Sequence, residues 1–531
     1  MLAACAAAQK ILCAVALTAA LWCPASAQAE DRVLRVSLNT ELQVLDPIVT
    51  TINATRVFTY LVYDQLIGID SKGEYRPQML RDWQTSPDRL TWTFHLRDGL
   101  LWSDGTPVTS EDCVASINRW AKREALGIQM MQAADSLRAV DSSTFELKLH
   151  SPFAYVVESL GKPGNQIPAM MPKRLADLPA DKPVPETIGS GPYTFDRANW
   201  RPGDRAVFRR NPLYKPRDEP ADWLAGGKVA HMDRIEVISV PDPATRVAAL
   251  QAGELDYLEV IPTDFIETVQ RQGRITLAKP GGVEQIMFIL MLNHAQAPFD
   301  NPKIRRAAQL AVDQQEVMQA LGLPDTMYLA RCDSIYMCNS PSSSTGGTEL
   351  LRGAGIEAAS KALAESGYRN EPVAILHAQT SGLLNNTGLM VAEQLKRVGF
   401  NVDLRSSDYA TVAQRRLSKE PVEKGGWSIT PVVWNGIDLI NPLANPGIAY
   451  NCVPHYTGWY CDPNQTALLA QLAAASAPGE RKRLADALQA AFHENVDVII
   501  GGQFSAPAAW RSNLKGVIQF PIPLFWNLAR P

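Results

Sequence analysis

The stretch AGIEAASKALAESGYRNEPVAILHAQTSGLLNNTGLMVAEQLKRVGFNVDL, residues Ala354–Leu404, decides the fold class. It begins with a helical run that ends at a glycine, and a short apolar strand follows over Val373–Leu376. A second helix over Leu389–Val398 also ends at a glycine, and the strand Asn401–Leu404 comes next. Alternation of helix and strand with short connections is typical of a parallel sheet covered by helices. The sequence therefore predicts an α/β fold.

Further patterns extend this organisation on both sides. Val33–Leu38 alternates apolar and polar residues, and Gln285–Leu292 is an almost continuous apolar run of the kind that is buried on both faces. Val496–Ile500 is another apolar strand. A hydroxyl followed by acidic residues at Thr109–Asp112 indicates the start of a helix.

The composition is that of an ordinary globular protein with several domains' worth of chain. The 531 residues are 46% apolar and 20% charged, which is sufficient for sizeable cores. The formal net charge is −4, from 51 basic and 55 acidic side chains. Because nucleic-acid binders normally carry a basic excess, this charge argues against a nucleic-acid partner.

The N-terminal residues have the pattern of an export signal. Lys10 precedes an apolar run of twelve residues, Ile11–Trp22, and small residues follow it. As a helix this run would span about 18 Å, which is too short for a hydrocarbon core of about 30 Å. We expect residues 1–29 to be a signal peptide that directs the chain to the periplasm. A retained membrane anchor is the alternative, and the bulky residue before Cys23 argues against lipid attachment there.

Export changes the interpretation of the cysteines, because close pairs in an oxidising compartment form disulfides. Cys332 and Cys338 would close one short loop, and Cys452 and Cys461 another. Neither spacing is that of a zinc site. The remaining cysteine, Cys113, lies in a segment with a periodic pattern of apolar residues, which favours a buried thiol.

Catalytic and metal-binding signatures are missing from the sequence. It contains no G-x-S-x-G, H-E-x-x-H, P-loop or G-x-G-x-x-G motif, and its seven histidines are scattered without ligand spacing. We therefore predict a binding protein with no cofactor, no resident metal and no catalytic residues. An exported hydrolase stays open as an alternative, because the paired carboxylates of glycosidases carry no local signature.

Five segments together carry a family resemblance. In this order and spacing, they resemble the bacterial extracellular solute-binding proteins of family 5, the peptide- and nickel-type receptors of ABC importers. The likeness extends over residues 31–531. The segments are LRDGLLWSDGTPVTSEDCVASINRW (Leu96–Trp120), IGSGPYTF (Ile188–Phe195), RNPLYKP (Arg210–Pro216), TRVAALQAGELD (Thr245–Asp256) and LNHAQAPFDNPKIRRAAQLAVD (Leu292–Asp313).

The resemblance implies the two-lobed α/β fold of a type II periplasmic binding protein. The first lobe is expected over residues 30–285 plus 500–531, with an extra subdomain at about 57–187. The second lobe is expected over residues 286–499. The ligand would lie between the lobes, which close on it by hinge bending.

The implied function is capture of a solute and its delivery to a membrane permease. We expect a monomeric periplasmic receptor, not an enzyme, that binds a peptide or peptide-like solute and passes it to the permease subunits of an ABC importer. A receptor for a metal chelate or haem is the alternative within this family. In that case His377 or His455 would be expected in the cleft.

One ligand contact follows from the resemblance. In peptide-binding members an Asp after a Trp in the second lobe meets the ligand's α-ammonium group, and WNGID (Trp434–Asp438) resembles that segment. Asp438 is therefore the first candidate, although one residue is inserted and Asn441 stands where many members have Asp. The alternative is that Asp438 caps a helix at Leu439.

The expected topology adds further candidates for ligand contacts, because open α/β sheets bind ligands at the carboxyl ends of their strands. The loop after the first strand contributes Asn39, Thr40, Glu41 and Gln43, and the loop after Val373–Leu376 contributes Thr380 and Ser381. Two aromatic residues could wall the pocket, and two arginines could hold a carboxylate. These are Trp427, Trp434, Arg331 and Arg405.

Overall fold

The structure is a computed structural model, and it describes residues 32–454 and 456–530. The expected signal peptide over residues 1–29 lies outside the described residues, and so does His455. No helix in the described ranges combines the length and the apolar character that a membrane span requires.

The strands are numbered in chain order. They are β1 Val33–Ser37, β2 Ile67–Ile69, β3 Tyr75–Pro77, β4 Leu80–Thr85, β5 Thr91–Leu96, β6 Ala134–Ala139, β7 Thr144–Leu149, β8 Tyr193–Phe195, β9 Arg205–Arg210, β10 Arg234–Ile238, β11 Tyr257–Leu258, β12 Ile275–Leu277, β13 Ile286–Leu292, β14 Pro372–Ala378, β15 Asn401–Ser407, β16 Ile429–Asn435, β17 Val498–Phe504 and β18 Ala509–Arg511.

The α-helices are numbered in the same way. They are α1 Asn53–Val62, α2 Ser110–Trp120, α3 Ala125–Gln132, α4 Val156–Leu160, α5 Lys173–Ala176, α6 Pro243–Ala252, α7 Ile266–Gln270, α8 Pro302–Ala311, α9 Gln314–Gln319, α10 Ile356–Glu365, α11 Asn385–Val398, α12 Tyr409–Arg415, α13 Pro463–Ala474 and α14 Pro478–Asn495.

The first lobe is built on a sheet with the strand order β12-β18-β11-β1-β10-β9-β8. The central strand β1 runs parallel to β10 and to β11, and the outer pairs are antiparallel. Strand β18 comes from the C-terminal part of the chain, so both ends of the described chain contribute to this lobe.

The second lobe is built on a sheet with the order β15-β14-β16-β13-β17. Strand β14 pairs in parallel with β15 and β16, whereas β13 is antiparallel to β16 and β17. The stretch Ala354–Leu404 supplies α10, β14, α11 and the first part of β15, and Gly399 ends α11 with a φ of +110°. The predicted α/β fold is therefore confirmed.

Two segments connect the lobes, one after β12 and one after β17. The hydroxyl of Ser505 donates to the carbonyl of Pro280 (3.1 Å), and the Ala278 N–H donates to the carbonyl of Ala508 (2.9 Å), so the two segments run side by side. Paired crossing segments of this kind allow two lobes to rotate about a hinge.

The second crossing lies later in the chain than the expected boundary between residues 499 and 500. Strand β17 stays in the second sheet up to Phe504, which is in register with Ile286. Gly501 and Gly502 interrupt the apolar pattern that marked this strand in the sequence. The ladder continues past them nevertheless: Gly502 pairs with Phe288, and Gly501 is the extra residue at the register shift between Phe288 and Ile289, where a Cβ would collide with the Phe288 ring.

A third sheet, with the order β4-β5-β7-β6, forms a subdomain together with α2 and α3. Thr109 and Asp112 form a reciprocal capping box at the start of α2, as the sequence indicates.

The hydrophobic core of the subdomain continues into the second lobe. At this junction Arg481 of α14 lies over the Tyr155 ring and pairs with Glu158 (3.1 Å).

Both predicted disulfides are present in the structure. Cys332 bonds to Cys338 and Cys452 bonds to Cys461, with Cα–Cα distances of 5.8 and 4.2 Å. Cys113 is buried in α2 as a free thiol, and burial raises its pKa.

Removing either disulfide should destabilise the fold. Replacing Cys332 and Cys338 by Ser, or Cys452 and Cys461 by Ser, should lower the free energy of unfolding by about 2–3 kcal/mol, because the unfolded chain regains loop entropy. Urea unfolding followed by circular dichroism measures the change. The reduced wild-type protein is the control, and it should lose more stability than either double variant. Equal midpoints for the variants and the oxidised wild type would contradict this expectation.

Candidate functional site

A cavity of about 1580 Å³ lies between the two lobes. Its walls include the loops that follow β1, β10 and β11 in the first lobe and β14 in the second, together with the end of β16. Neighbouring parallel strands end at the same edge of a sheet, and loops at that edge commonly form ligand sites in open α/β sheets. The cavity is therefore placed as the sequence predicts for a two-lobed fold.

The loop after β1 is held in place by the carboxylate of Glu259. Its two oxygens accept hydrogen bonds from the Asn39 N–H (2.7 Å) and from the side-chain amide of Asn53 (3.3 Å). Burial raises the pKa of Glu259, and these two donors oppose the rise. Because the carboxylate anchors the loop, three predicted contacts are held at the cavity wall: Thr40, Glu41 and Gln43.

The opposite wall belongs to the second lobe. Ser381 lies in the turn that leads from β14 into α11, and Trp434 lies near the carboxyl end of β16. Thr380, from the same turn, accepts a hydrogen bond from the Tyr409 N–H (3.1 Å). The structure thus brings Ser381, Thr380 and Trp434 to the same cavity as the loop after β1.

Trp427 lies away from the cavity, in the core of the second lobe. Its ring is fully buried beside Trp459, and its indole N–H donates to the carbonyl of Ser418 (3.1 Å). The residue precedes β16, so it lies at the amino end of that strand, whereas the cavity borders the carboxyl end. The expectation that Trp427 walls the pocket is corrected by this placement.

The sequence suggested two arginines that could bind a carboxylate of the ligand, but both already bind groups of the protein. Arg405 pairs with Asp403 (2.7 Å) and donates to two backbone carbonyls, and Arg331 pairs with Asp333 (2.7 Å). Neither side chain belongs to the cavity wall.

Asp438 lies in a single 3₁₀ turn after β16 and binds the first lobe. One carboxylate oxygen accepts from the guanidinium of Arg56 in α1 (2.9 Å), and the other accepts from the Asn165 N–H (2.9 Å). A Cβ at Gly164, where φ is +89°, would collide with this carboxylate. Asp438 makes no helix-capping hydrogen bond and is absent from the cavity wall, so neither role expected from the sequence describes its contacts.

Two other polar contacts join the lobes near this ion pair. The side-chain amide of Asn435 donates to Asn53 (3.1 Å), and the Tyr450 hydroxyl donates to Gln166 (3.2 Å). Because these contacts and the ion pair join the two lobes, the structure is a closed arrangement of the lobes. The Tyr450 ring also stacks on Tyr456, with 4.1 Å between the ring centroids.

Three arginines at the cavity wall were not singled out by sequence reasoning. Arg123, Arg246 and Arg416 are each half-buried, and each has a buried Nε without a hydrogen-bond acceptor. Arg123 and Arg416 follow closely after α2 and α12, but surface arginines have the same sequence pattern. Only the packing of the two lobes distinguishes these three residues.

His377, one of the two histidines named for a chelate or haem, lies outside the cavity wall. The two ring nitrogens of His377 are hydrogen bonded to the Ser406 hydroxyl (2.8 Å) and the Asn385 carbonyl (3.1 Å). His455 lies outside the described residues. Within the part of the chain that the structure describes, no three His, Cys, Asp or Glu side chains are grouped to hold a metal ion.

Comparisons with known proteins agree with the family resemblance of the sequence. Residues 74–452 match the family model described as bacterial extracellular solute-binding proteins, family 5 middle. A probable peptide ABC transporter periplasmic-binding protein of Sinorhizobium fredii is 34% identical over 510 residues, which are 95% of this chain and 94% of that protein.

Two solved structures have the same fold. The periplasmic binding protein AgaA of A. tumefaciens R10, in complex with agropinic acid, has a TM-score of 0.77 at 21% identity, and the match covers 94% of this chain and 99% of that one. The periplasmic binding protein DppA of Helicobacter pylori, in complex with the peptide STSA, has a TM-score of 0.78 at 19% identity, with coverage of 94% and 98%.

Breaking the ion pair between the lobes should open the structure. In Asp438→Asn, the buried Arg56 guanidinium loses its counter-ion, which we expect to lower the free energy of unfolding by about 3 kcal/mol. The radius of gyration of the solute-free protein should also rise in small-angle X-ray scattering.

The control for this variant is Glu74→Gln, which removes an exposed carboxylate from Arg76. Both measurements should stay near the wild-type values in the control. An Asp438→Asn protein with the wild-type stability and radius of gyration would show that the pair does not hold the lobes together.

Proposed function

The chain belongs to the bacterial extracellular solute-binding proteins of family 5, and we propose that it captures a peptide or peptide-like solute for an ABC importer. It would act in the periplasm after removal of its signal peptide. Relatives named as peptide-binding or found with a peptide or agropinic acid bound support this solute class. The receptor would then deliver its solute to the membrane permease.

The observation that carries the proposal is the cavity between the two lobes. At about 1580 Å³ it is larger than the cavities of about 300–1000 Å³ that hold drug-sized ligands, so it has room for a short peptide. Closure removes the solute from water, and hydrogen bonds and charges at the wall then act in a medium of lower dielectric. A small number of polar contacts can therefore provide specificity.

We assign the direct solute contacts to five of the residues expected from the sequence. Asp438 would act indirectly, by fixing the closed position of the second lobe through Arg56. Trp427 would support the second-lobe core from within. The five direct contacts are Thr40, Glu41, Gln43, Ser381 and Trp434.

The competing hydrolase hypothesis requires two carboxylates that share one substrate. Glu259 is the most buried carboxylate at the cavity wall, and both of its oxygens hold the loop after β1. Because both oxygens of Glu259 already accept hydrogen bonds from the protein, this arrangement favours binding of a solute over its hydrolysis. We therefore propose that the solute leaves the cavity chemically unchanged.

Native mass spectrometry of the freshly purified protein tests capture. We expect a complex with one bound solute, and the same solute mass after days of incubation with the protein. The solute should dissociate on denaturation and rebind to the refolded protein at one equivalent. A progressive change of the solute mass in the presence of the protein, absent from a protein-free control, would favour the hydrolase.

A pair of tryptophan variants tests the position of the site. Trp434→Ala should weaken binding of the co-purified solute at least tenfold, because the ring loses its contact with the solute. Trp427→Phe should lower stability but keep the affinity, since its ring lies in the core. Isothermal titration of the refolded proteins measures both affinities. An unchanged affinity in Trp434→Ala would remove this residue from the proposed site.

A further inference from the structure

Asp438 is not available to a ligand ammonium group in the closed structure. Its side chain is only 2% exposed, and its two oxygens are bonded to Arg56 and to the Asn165 N–H. A solute ammonium group would have to displace the guanidinium of Arg56. The carboxylate that the resemblance assigns to a peptide amino terminus is therefore neutralised by the protein itself.

The cavity wall instead carries three arginines that form no ion pair within the part of the chain that the structure describes. The guanidinium groups of Arg123, Arg246 and Arg416 have neither a hydrogen-bond acceptor nor an ion-pair partner in residues 32–454 and 456–530. Burial lowers the pKa of Arg246, although the carboxylates of Glu259 and Asp242 oppose the effect. Partly buried charges without partners are costly for the folded protein, so their presence in a cavity indicates a ligand of opposite charge.

Two of these arginines come from different parts of the molecule and line the cavity together with one aromatic pair. Arg123 lies two residues before Ala125, which packs against Tyr450. Arg416 and Tyr456 both line the cavity, and the charge of Arg416 opposes the rise that burial causes in the pKa of Tyr456. The stacked rings of Tyr450 and Tyr456 thus line the same cavity as one arginine beside the subdomain and one of the second lobe.

The acidic residues of the cavity wall do not balance these charges. Glu259 is buried but holds the loop after β1, and the half-buried Glu284 accepts from the Gly281 N–H. The remaining acidic side chains of the wall are exposed, where water and salt screen them. They are Glu41, Asp204, Asp264 and Asp408.

Resting on the proposed function, we infer that the captured solute is an acid whose carboxylate binds between Arg123 and Arg416, and that a free amino group is not required. A guanidinium group has parallel N–H donors that match the two oxygens of a carboxylate. The tyrosine pair beside the arginines provides an apolar surface for the part of the solute next to the charge. Because the arginines come from different parts of the molecule, the carboxylate would also draw the lobes together.

Four synthetic tetrapeptide pools, built from Ala, Ser, Leu and Phe with one Glu added in the third pool only, test this inference by isothermal titration. One pool is acetylated and amidated, so it carries no charge. The second is acetylated with a free C-terminal carboxylate, and the third is capped at both ends but contains one Glu. The fourth is amidated with a free amino terminus. The second and third pools separate a terminal carboxylate from a side-chain carboxylate.

We expect at least one carboxylate-bearing pool to bind tenfold or more tightly than the uncharged pool, and the free-amino pool to gain nothing. In Arg123→Gln and in Arg416→Gln this preference should fall at least tenfold. The control is Arg271→Gln, which removes an exposed partner of Glu267 on α7 outside the cavity and should keep the preference. Thermal unfolding confirms that each variant is folded.

The charge of the co-purified solute is a second measurement that does not depend on the pools. Released by denaturation, it should be retained by an anion exchanger at pH 7. Tight binding of the free-amino pool alone, or a co-purified solute that is not retained, would overturn the inference and leave the proposed function in place. If no pool binds and no solute co-purifies, the proposed function and the inference both fail.

Discussion

The ion pair between Arg56 and Asp438 joins helix α1 of the first lobe to the end of strand β16 in the second. Both side chains are nearly buried, with exposed fractions of 8% and 2%. Burial of two charges is favourable only when their geometry and their remaining hydrogen bonds are satisfied. The Asn165 N–H supplies the additional donor here, and Gly164 allows the backbone to approach closely enough. We therefore expect the closed arrangement of the lobes to depend on this contact.

The same ion pair changes the electrostatics of the cavity. Because Arg56 neutralises Asp438, the acidic group expected to face a ligand is removed from the wall. The half-buried arginines on the wall keep their charges without internal partners. In the proposed mechanism, closure of the lobes and selection of an anionic solute both follow from one arrangement of charges, in which the Asp438 carboxylate binds Arg56 and not the solute.

Local patterns were sufficient for much of the architecture. The periodicity of Ala354–Leu404 correctly indicated α10, β14 and α11 and the start of β15, and the apolar run before residue 292 became the buried strand β13. The end of β17 was not predictable, because two glycines interrupt the apolar pattern while the pairing with β13 continues. That pairing joins residues more than two hundred positions apart, and no local pattern records it.

The sequence by itself determined the fold class, the two disulfides and the strand ends that border the cavity, because these follow from short-range periodicity and spacing. Only the tertiary structure decided which polar side chains border the cavity. Trp427 and Trp434 are indistinguishable by type, yet one lies at the amino end of β16 and the other at its carboxyl end. Asp438 and Arg56 are 382 residues apart in the chain, and whether a charge finds a partner depends on packing between lobes.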